Sequence, residues 1–231
     1  EEYIDSLLNQ KYKSFELLVL LEYGSNQASR NIVYSKTDQR VRIIENRECK
    51  LGLAQSLNLG IREAKGEYIA RMDADDISLP KRFEKQVKFL DRHSQIVMCG
   101  TAMKGLYTDG HTDKRGYFTD PESIKFECML GNPFGHPTVM WRRKEFLEAG
   151  LFYKDTPYSE DFELWKRVVE IYPCANLKEY LLIYRIHEES ASAVISNTLG
   201  NVNSVLNKEY LKKHNIEYNL EAPFFKGNLT E

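Results

Sequence analysis

One stretch decides the fold: Tyr-Ile-Ala-Arg-Met-Asp-Ala-Asp-Asp, at residues 68–76. Residues 68–72 predict a strand, and three aspartates follow that strand directly, at positions 73, 75 and 76. Ser78 and Pro80 then begin a predicted helix whose apolar positions share one face. In an open α/β sheet, ligands bind at the carboxyl ends of the strands, because the loops there meet helix N-termini. The sequence therefore predicts an acidic ligand site at this edge of a sheet.

The segments around this stretch alternate in the same way. Residues 15–21 form a near-continuous apolar run, as in a strand that is buried on both faces, and residues 41–44 predict a second strand. The apolar positions of residues 53–64 fall on one helical face, and Gly66 is placed to end that helix in a left-handed conformation. Residues 96–99 predict a further strand. This alternation predicts an α/β fold, with helices on both faces of a Rossmann-like, mostly parallel sheet.

The pattern changes after about residue 100. Residues 103–118 predict a hairpin with Asp109-Gly110 as its turn. Residues 162–171 predict an amphipathic helix, residues 179–186 a strand, and residues 196–213 a helix that is followed by a loose tail. We therefore divide the chain into residues 1–100, residues 101–195 of the same domain, and residues 196–231, which form the C-terminal helix and tail.

Composition limits the classes of protein that are possible. With 231 residues, of which 42% are hydrophobic, the chain can bury one substantial core but hardly two. The 32 basic and 34 acidic residues nearly cancel, so no positive field favours a nucleic-acid partner. The four cysteines are widely spaced, as in a cytosolic protein with reduced thiols. No apolar run approaches the roughly 20 residues that cross a bilayer, so we expect a soluble protein.

The aspartates at 73, 75 and 76 could carry chemistry. Three carboxylates within four residues repel one another unless a positive charge lies between them, and a divalent cation supplies it. Carboxylate oxygens suit magnesium or manganese, which keep open positions for phosphate oxygens of a substrate. The alternative is that Asp73 or Asp76 caps the following helix, where negative charge is favourable.

A second acidic pair, Glu160 and Asp161, stands immediately before an apolar helix. Ser159 is a plausible N-cap, so acidic residues in this first turn also have a purely stabilising explanation. A carboxylate that is separate from the metal ligands is, however, what the abstraction of a hydroxyl proton requires. The pair is therefore a candidate for a general base.

Other side chains have simpler interpretations. His136 and His187 each lie beside apolar segments, where a histidine is more often a hydrogen-bonded structural residue than a ligand. Trp141 and Trp165 are expected in the core rather than as platforms for a sugar. Residues 142–144, Arg-Arg-Lys, are expected on a solvated face, with contact to acidic lipids or a phosphate-bearing acceptor as the alternative.

Several motifs in a fixed order together resemble the family 2 glycosyltransferases, which have the GT-A fold. They are Ser-Leu-Leu-Asn-Gln-Lys-Tyr at 6–12, Leu-Asn-Leu-Gly-Ile at 57–61, Ala-Lys-Gly-Glu-Tyr-Ile-Ala-Arg at 64–71, the acidic stretch 72–76, His-Pro at 136–137, Ser-Glu-Asp at 159–161 and Tyr-Arg-Ile-His at 184–187. The resemblance covers about residues 1–190. It implies an inverting, metal-dependent enzyme of the hexosyltransferase type that transfers a sugar from a nucleotide diphosphate donor to an acceptor hydroxyl.

The resemblance also implies roles for individual residues. By position, Asp73, Asp75 and His187 would hold Mn²⁺ or Mg²⁺ at the donor diphosphate, and Asp161 would be the base. The nucleotide-sugar site would include Glu22, Lys50, Asp73 and Glu160. Residues 1–100 would then bind the donor, residues 101–195 would bind the acceptor and supply the base, and the C-terminal region would lie on the acceptor side.

The expected partners follow from the same family. The donor is a UDP-sugar by default, and the acceptor is a saccharide or a lipid-linked oligosaccharide of a surface polysaccharide or glycolipid pathway. We expect a cytoplasmic enzyme, with a peripheral contact at the inner face of the cell membrane, and no nucleic-acid partner.

Two features depart from the family pattern. Glu22-Tyr23-Gly24-Ser25 replaces paired aspartates before Gly-Ser, and Lys50 stands where relatives commonly carry asparagine. The sequence also starts inside the first helix pattern, after the family's opening strand. We expect an interrupted sheet with an unpaired edge, weakened donor binding and low stability. Adding an upstream strand without any gain in melting temperature or donor affinity would refute this expectation.

Two other functions fit parts of the pattern. A nucleotidyltransferase can share the α/β core and the metal-binding aspartates, although no glycine-rich phosphate loop with a following lysine occurs near the N-terminus. A binding module that keeps the fold without turnover is suggested by Glu22-Tyr23 and by the expected gap in the sheet.

Overall fold

The computed structural model describes residues 1–156, 159–187 and 212–213. Its α-helices are α1 (Glu2–Leu8), α2 (Gln27–Tyr34), α3 (Leu53–Glu63), α4 (Arg82–Arg92), α5 (Pro121–Leu130), α6 (Arg143–Glu148) and α7 (Glu160–Ile171), with a 3-10 turn at His136–Thr138. Its strands are β1 (Leu17–Leu21), β2 (Val41–Glu45), β3 (Tyr68–Ala70), β4 (Ile77–Ser78), β5 (Met98–Tyr107), β6 (Thr112–Arg115), β7 (Met140–Arg142) and β8 (Cys174–Ile186).

The described strands form two sheets. β1 and β2 pair in parallel, and the larger sheet has the order β3-β7-β5-β8-β4, with β6 paired to β5. The longest pairing, between β5 and β8, is parallel. The pairings β3–β7, β4–β8, β5–β6 and β5–β7 are antiparallel. The α/β class is confirmed, but these four pairings differ from the mostly parallel sheet that the sequence suggests. For β6 the reason is local, because the tight turn at Gly110 can join only antiparallel neighbours.

Helices cover both faces of the larger sheet, as predicted. Successive side chains of a strand point to opposite faces, and each strand therefore contributes to two cores. Met98 and Trp141 pack with apolar side chains of α3, α5 and α7. Their neighbours Cys99 and Met140 pack with side chains of α1 and α4. The acidic stretch therefore begins at the end of a strand in a sheet that has helices on both faces.

Most predicted elements are found, with shifted ends. The helix predicted over 53–64 is α3, but the prediction for Gly66 is wrong, because Ala64 already ends the helix with an extended backbone and Gly66 has no positive φ. The strand predicted over 179–186 is the second part of the longer β8. The helix predicted over 196–213 and the tail lie outside the described residues, apart from Lys212 and Lys213.

No strand pairing joins the two sheets within the residues that the structure describes. Within the described part of the chain, β1 pairs only with β2, and β3 pairs only with β7. Leu17 of β1 nevertheless packs in the same apolar cluster as Tyr68 and Ala70 of β3. The two strands therefore pack against the same helical layer without sharing a hydrogen-bonded ladder.

Candidate active site

Buried bonds fix the direction in which the acidic turn leaves β3. Arg71 donates its backbone N–H to the carbonyl oxygen of Val139 at 3.0 Å. The carbonyl oxygen of Arg71 accepts a bond of 2.7 Å from Nη2 of the buried Arg82. The guanidinium of Arg71 is also buried, and it forms an ion pair with Asp73. The first aspartate of the turn is therefore held by a buried cation.

Asp76, the last aspartate of the turn, is a structural link. Its carboxyl is buried, and Oδ1 accepts a hydrogen bond of 3.1 Å from the backbone N–H of Arg185. Burial and the neighbouring charge of Asp73 raise the pKa of Asp76 to about 7. The bond joins the acidic turn to the end of β8, and His187 follows Arg185 by two residues. Asp76 thereby brings His187 to the turn.

Asp75 and His187 meet at the surface. Nε2 of His187 lies 3.2 Å from Oδ2 of Asp75, and the two side chains are 41% and 47% exposed. Two of the three predicted metal ligands are therefore together, whereas Asp73 is bound to Arg71. Among the residues that the structure describes, no group of three His, Cys, Asp or Glu side chains is placed to hold a metal ion.

Asp161 lies in the first turn of α7 and is held by two short hydrogen bonds. Asn132 donates from Nδ2 to Oδ2 at 2.7 Å, and the backbone N–H of Phe162 donates to Oδ1 at 2.7 Å. Burial raises the pKa of Asp161, while these two bonds and the charge of Arg71 oppose the rise. Ser159 occupies the N-cap position without a side-chain cap bond. Helix capping alone does not account for a half-buried carboxyl that is bound by Asn132.

Arg71 connects the two acidic segments, and the sequence analysis did not single it out. Its charge interacts with Asp73 in the turn and with Asp161 on α7. Burial and the charge of Asp161 raise the pKa of Glu160, and the charge of Arg71 opposes that rise. Arg71 opposes the rise in the pKa of Asp76 in the same way. The charge of one buried guanidinium therefore acts on four carboxyl groups, and it contacts one of them, Asp73. The position of Arg71 within a predicted buried strand could have identified it from the sequence, since a buried charge needs partners.

Glu22 is engaged by the protein itself. Oε2 accepts bonds from Oγ of Ser56 at 2.6 Å and from the backbone N–H of Gly52 at 3.2 Å, and Oε1 accepts one from Leu51 at 3.0 Å. Although burial opposes it, the bonds from Ser56 and Leu51 lower the pKa of Glu22. The carboxylate thus holds the start of α3 at the end of β1. Lys50 lies exposed in the loop that Glu22 fixes, and donor contacts of both residues stay predictions.

Trp141 and Trp165 belong to the core, as expected, and His136 is a hydrogen-bonded structural residue beside them. The two indole rings are 1% and 0% exposed. Nε2 of His136 lies 2.9 Å from the hydroxyl oxygen of Tyr153, and burial holds the pKa of His136 well below its usual range. The imidazole is therefore neutral near pH 7, and it packs against Trp165.

The solvated face predicted for residues 142–144 is wrong for Arg142. Its guanidinium donates to the carbonyl oxygens of Ile96 at 3.0 Å and Leu90 at 2.6 Å, which ties β7 to the end of α4. The Lys144 side chain is 78% exposed. Within residues 1–156, 159–187 and 212–213, no helix combines the length and the apolar character needed to cross a bilayer.

An acidic turn thus follows a strand of an α/β sheet that is covered on both faces, and the half-buried carboxyl of Asp161 interacts with the arginine that holds this turn. Residues 1–151 match the sequence profile described as Glycosyl transferase family 2. The chain therefore belongs to the family 2 glycosyltransferases.

Two relatives act in polysaccharide synthesis, according to their names. The chain is 35% identical over 192 residues to the O-antigen biosynthesis glycosyltransferase WbnJ of Escherichia coli, and the match covers 81% of this chain and 74% of WbnJ. It is 29% identical over 186 residues to the amylovoran biosynthesis glycosyltransferase AmsE of Erwinia amylovora, with 80% of this chain and 70% of AmsE covered.

Solved structures confirm the predicted GT-A fold. S. aureus TarS 1–349 in complex with UDP-GlcNAc has a TM-score of 0.66 at 17% identity, and the match covers 82% of this chain and 55% of that one. The mannosyltransferase PcManGT from Pyrobaculum calidifontis, in complex with GDP-Man and Mn²⁺, has a TM-score of 0.61 at 13% identity, with 94% and 60% covered. The chain thus spans a little over half the length of these two proteins, and at such identities the likeness concerns the fold alone.

Proposed function

We propose that the chain is an inverting glycosyltransferase that moves a hexose from a nucleotide diphosphate donor to an acceptor hydroxyl. The observation that carries this proposal is the position of Arg71, whose buried charge faces both Asp73 in the acidic turn and Asp161 on α7. Two acidic groups with different surroundings therefore interact with one cation, Asp73 by an ion pair and Asp161 through the charge alone. This arrangement suits an enzyme that binds a charged donor at one group and removes a proton at the other.

Asp161 is the proposed general base. A half-buried carboxylate whose pKa is raised accepts a proton more readily than a fully exposed one, and this proton comes from the acceptor hydroxyl as its oxygen attacks the anomeric carbon. The bond from the anomeric carbon to the diphosphate breaks on the opposite face. A single displacement of this kind inverts the configuration of the anomeric carbon.

Asp75 and His187 are the proposed protein ligands of Mn²⁺ or Mg²⁺. Neighbouring ligands of an octahedral ion, each about 2.1 Å from it, are about 3 Å apart. The separation of 3.2 Å between Oδ2 of Asp75 and Nε2 of His187 therefore fits such an ion. When bound, the ion would neutralise charge on the departing diphosphate. Asp73, placed by Arg71, is assigned to the nucleotide-sugar together with Glu160, Glu22 and Lys50.

The names of relatives and the ligands of structural neighbours support the choice of substrates. TarS with UDP-GlcNAc and PcManGT with GDP-Man favour a nucleotide-sugar donor, with a UDP-sugar as the default. WbnJ and AmsE favour a surface polysaccharide or its lipid-linked precursor as the acceptor. We assign donor binding to residues 1–100 and acceptor binding to residues 101–195, and we place the enzyme at the cytoplasmic face of the membrane.

A product assay tests this proposal. Purified protein is incubated with UDP- and GDP-sugars, Mn²⁺ and a panel of saccharide acceptors, and the released nucleotide and the anomeric configuration of the product are determined. We expect release of a nucleoside diphosphate and an inverted linkage. Release of pyrophosphate would instead indicate a nucleotidyltransferase, and a folded sample without turnover on any donor would favour a binding module.

A further inference from the structure

Asn132 is fixed on both sides of its amide. Its Oδ1 accepts a hydrogen bond of 3.2 Å from the backbone N–H of Phe134, and its Nδ2 donates to Oδ2 of Asp161 at 2.7 Å. Because the first bond needs an acceptor and the second a donor, the amide has one orientation only. Asn132 lies two residues after α5, next to the C-cap residue Gly131. A residue from a different element therefore determines how the carboxyl group of Asp161 is turned.

Arg71 supplies positive charge to the same site. Its side chain is only 5% exposed, and its backbone is held by Val139 and Arg82. Among the described groups, the other titratable residues that act on or beside Asp161 are Glu160, Tyr117 and Tyr153. Burial raises the pKa of both tyrosines, which are neutral at pH 7, and Glu160 adds negative charge. Among these residues, Arg71 is thus the cation that acts on Asp161.

We propose that Asn132 is the positioning residue of Asp161: its amide, bound by Phe134 on one side, fixes the orientation of the Asp161 carboxylate. With Oδ2 bound to Asn132 and Oδ1 bound at the helix start, the carboxylate is locked relative to α7. Arg71 forms an ion pair with Asp73 and acts on Asp161 through its charge, so it links the two sides of the site electrostatically.

Asn132 and Arg71 both affect the proton affinity of Asp161. The bond from Asn132 and the charge of Arg71 both favour the ionised form of Asp161 and oppose the effect of burial. Removal of either raises the pKa of Asp161. Since only the ionised carboxylate accepts a proton, the acid limb of the pH profile of kcat/KM moves to higher pH. The inference rests on the proposed function only where it concerns activity, because the titration of Asp161 can be observed directly.

The titration of Asp161 is measured by NMR in the whole chain with ¹³C-labelled aspartate carboxyl groups. The resonance that is missing from the spectrum of Asp161→Asn is assigned to Asp161. In Asn132→Ala and Arg71→Met, we expect this resonance to titrate about one pH unit or more above its wild-type position. Arg71→Lys keeps the charge and is expected to shift it by less than about half a unit. The pH profile of kcat/KM is then expected to follow the NMR shifts.

Gln10→Ala is the matched control. Gln10 is buried, donates to the carbonyl oxygen of Leu79 at 2.9 Å and accepts from the backbone N–H of Phe83 at 3.1 Å, so its loss lowers the melting temperature through the same kind of defect. The Asp161 resonance is expected to keep its wild-type titration in this variant. Unchanged titration in folded Asn132→Ala, or equal shifts in Gln10→Ala and Asn132→Ala, would overturn the inference. A wild type without transferase activity would overturn the proposed function instead, and the NMR result would stand apart from it.

Discussion

Replacement of Asp161 by asparagine is expected to lower kcat by about 10²–10⁴-fold, the usual contribution of a general base. Asparagine has nearly the same shape, but it cannot accept the proton of the acceptor hydroxyl. Donor binding is expected to change little, because the proposed metal ligands Asp75 and His187 lie on the acidic turn and after β8. Initial rates of transfer, with calorimetric titration of the nucleotide, measure both quantities.

Glu163→Gln is the matched control for this variant. Glu163 also lies at the start of α7, but its carboxylate is bound by Arg167 at 2.7 Å and Lys154 at 2.8 Å. These ion pairs contribute to stability and do not reach Asp161, so kcat is expected to stay within a few-fold of wild type. If Asp161→Asn retained wild-type turnover, or if both variants lost activity equally, the assignment of the base would be wrong.

The largest effect on stability is expected for Trp165→Ala, which should lower the free energy of unfolding by about 3–5 kcal/mol. Trp165 is fully buried, and its ring packs against Phe134, Trp141 and Tyr153. Truncation would leave a cavity where α7 packs on the sheet, and the surrounding rings cannot close it. Urea denaturation of wild type and variant measures the difference.

Phe126→Ala is the comparison for Trp165→Ala. Phe126 is an aromatic residue on α5 that is 58% exposed, so its loss is expected to change the free energy of unfolding by only about 0.5 kcal/mol. Similar losses in both variants would show that Trp165 does not form the centre of the core. Such a result would also question the packing of α7, and with it the position of Asp161.

The sequence predicts the local part of the site well. The strand at 68–72, the acidic turn and the helix start at Asp161 depend on neighbouring residues and on hydrophobic period, which a single sequence displays. The GT-A fold follows from the order of the motifs, and the family match confirms it. The misplaced end of α3 shows the limit of such rules, because Gly66 is suited to a left-handed cap but the chain already turns at Ala64.

Contacts between distant residues could not be predicted in this way. Asp76 and Arg185 are 109 residues apart, and Asn132 and Asp161 are 29 apart, so only tertiary packing brings them together. Arg142 resembles a solvated basic residue in sequence, yet it binds backbone carbonyls of other elements. Polar side chains that are buried by packing therefore escaped prediction more often than apolar ones.

In the proposed function, the acidic turn binds a nucleotide through a divalent ion. Calorimetric titration of wild type, Asp75→Ala and Asp91→Ala with a panel of nucleoside diphosphates, with and without Mn²⁺, tests it most directly. Asp91 is an exposed aspartate on α4 that hydrogen-bonds to Tyr68 at the start of β3, opposite the acidic turn, and serves as the control. We predict manganese-dependent binding in wild type and Asp91→Ala that is lost in Asp75→Ala. Absence of binding in folded wild type, or unchanged binding in Asp75→Ala, would contradict the claim.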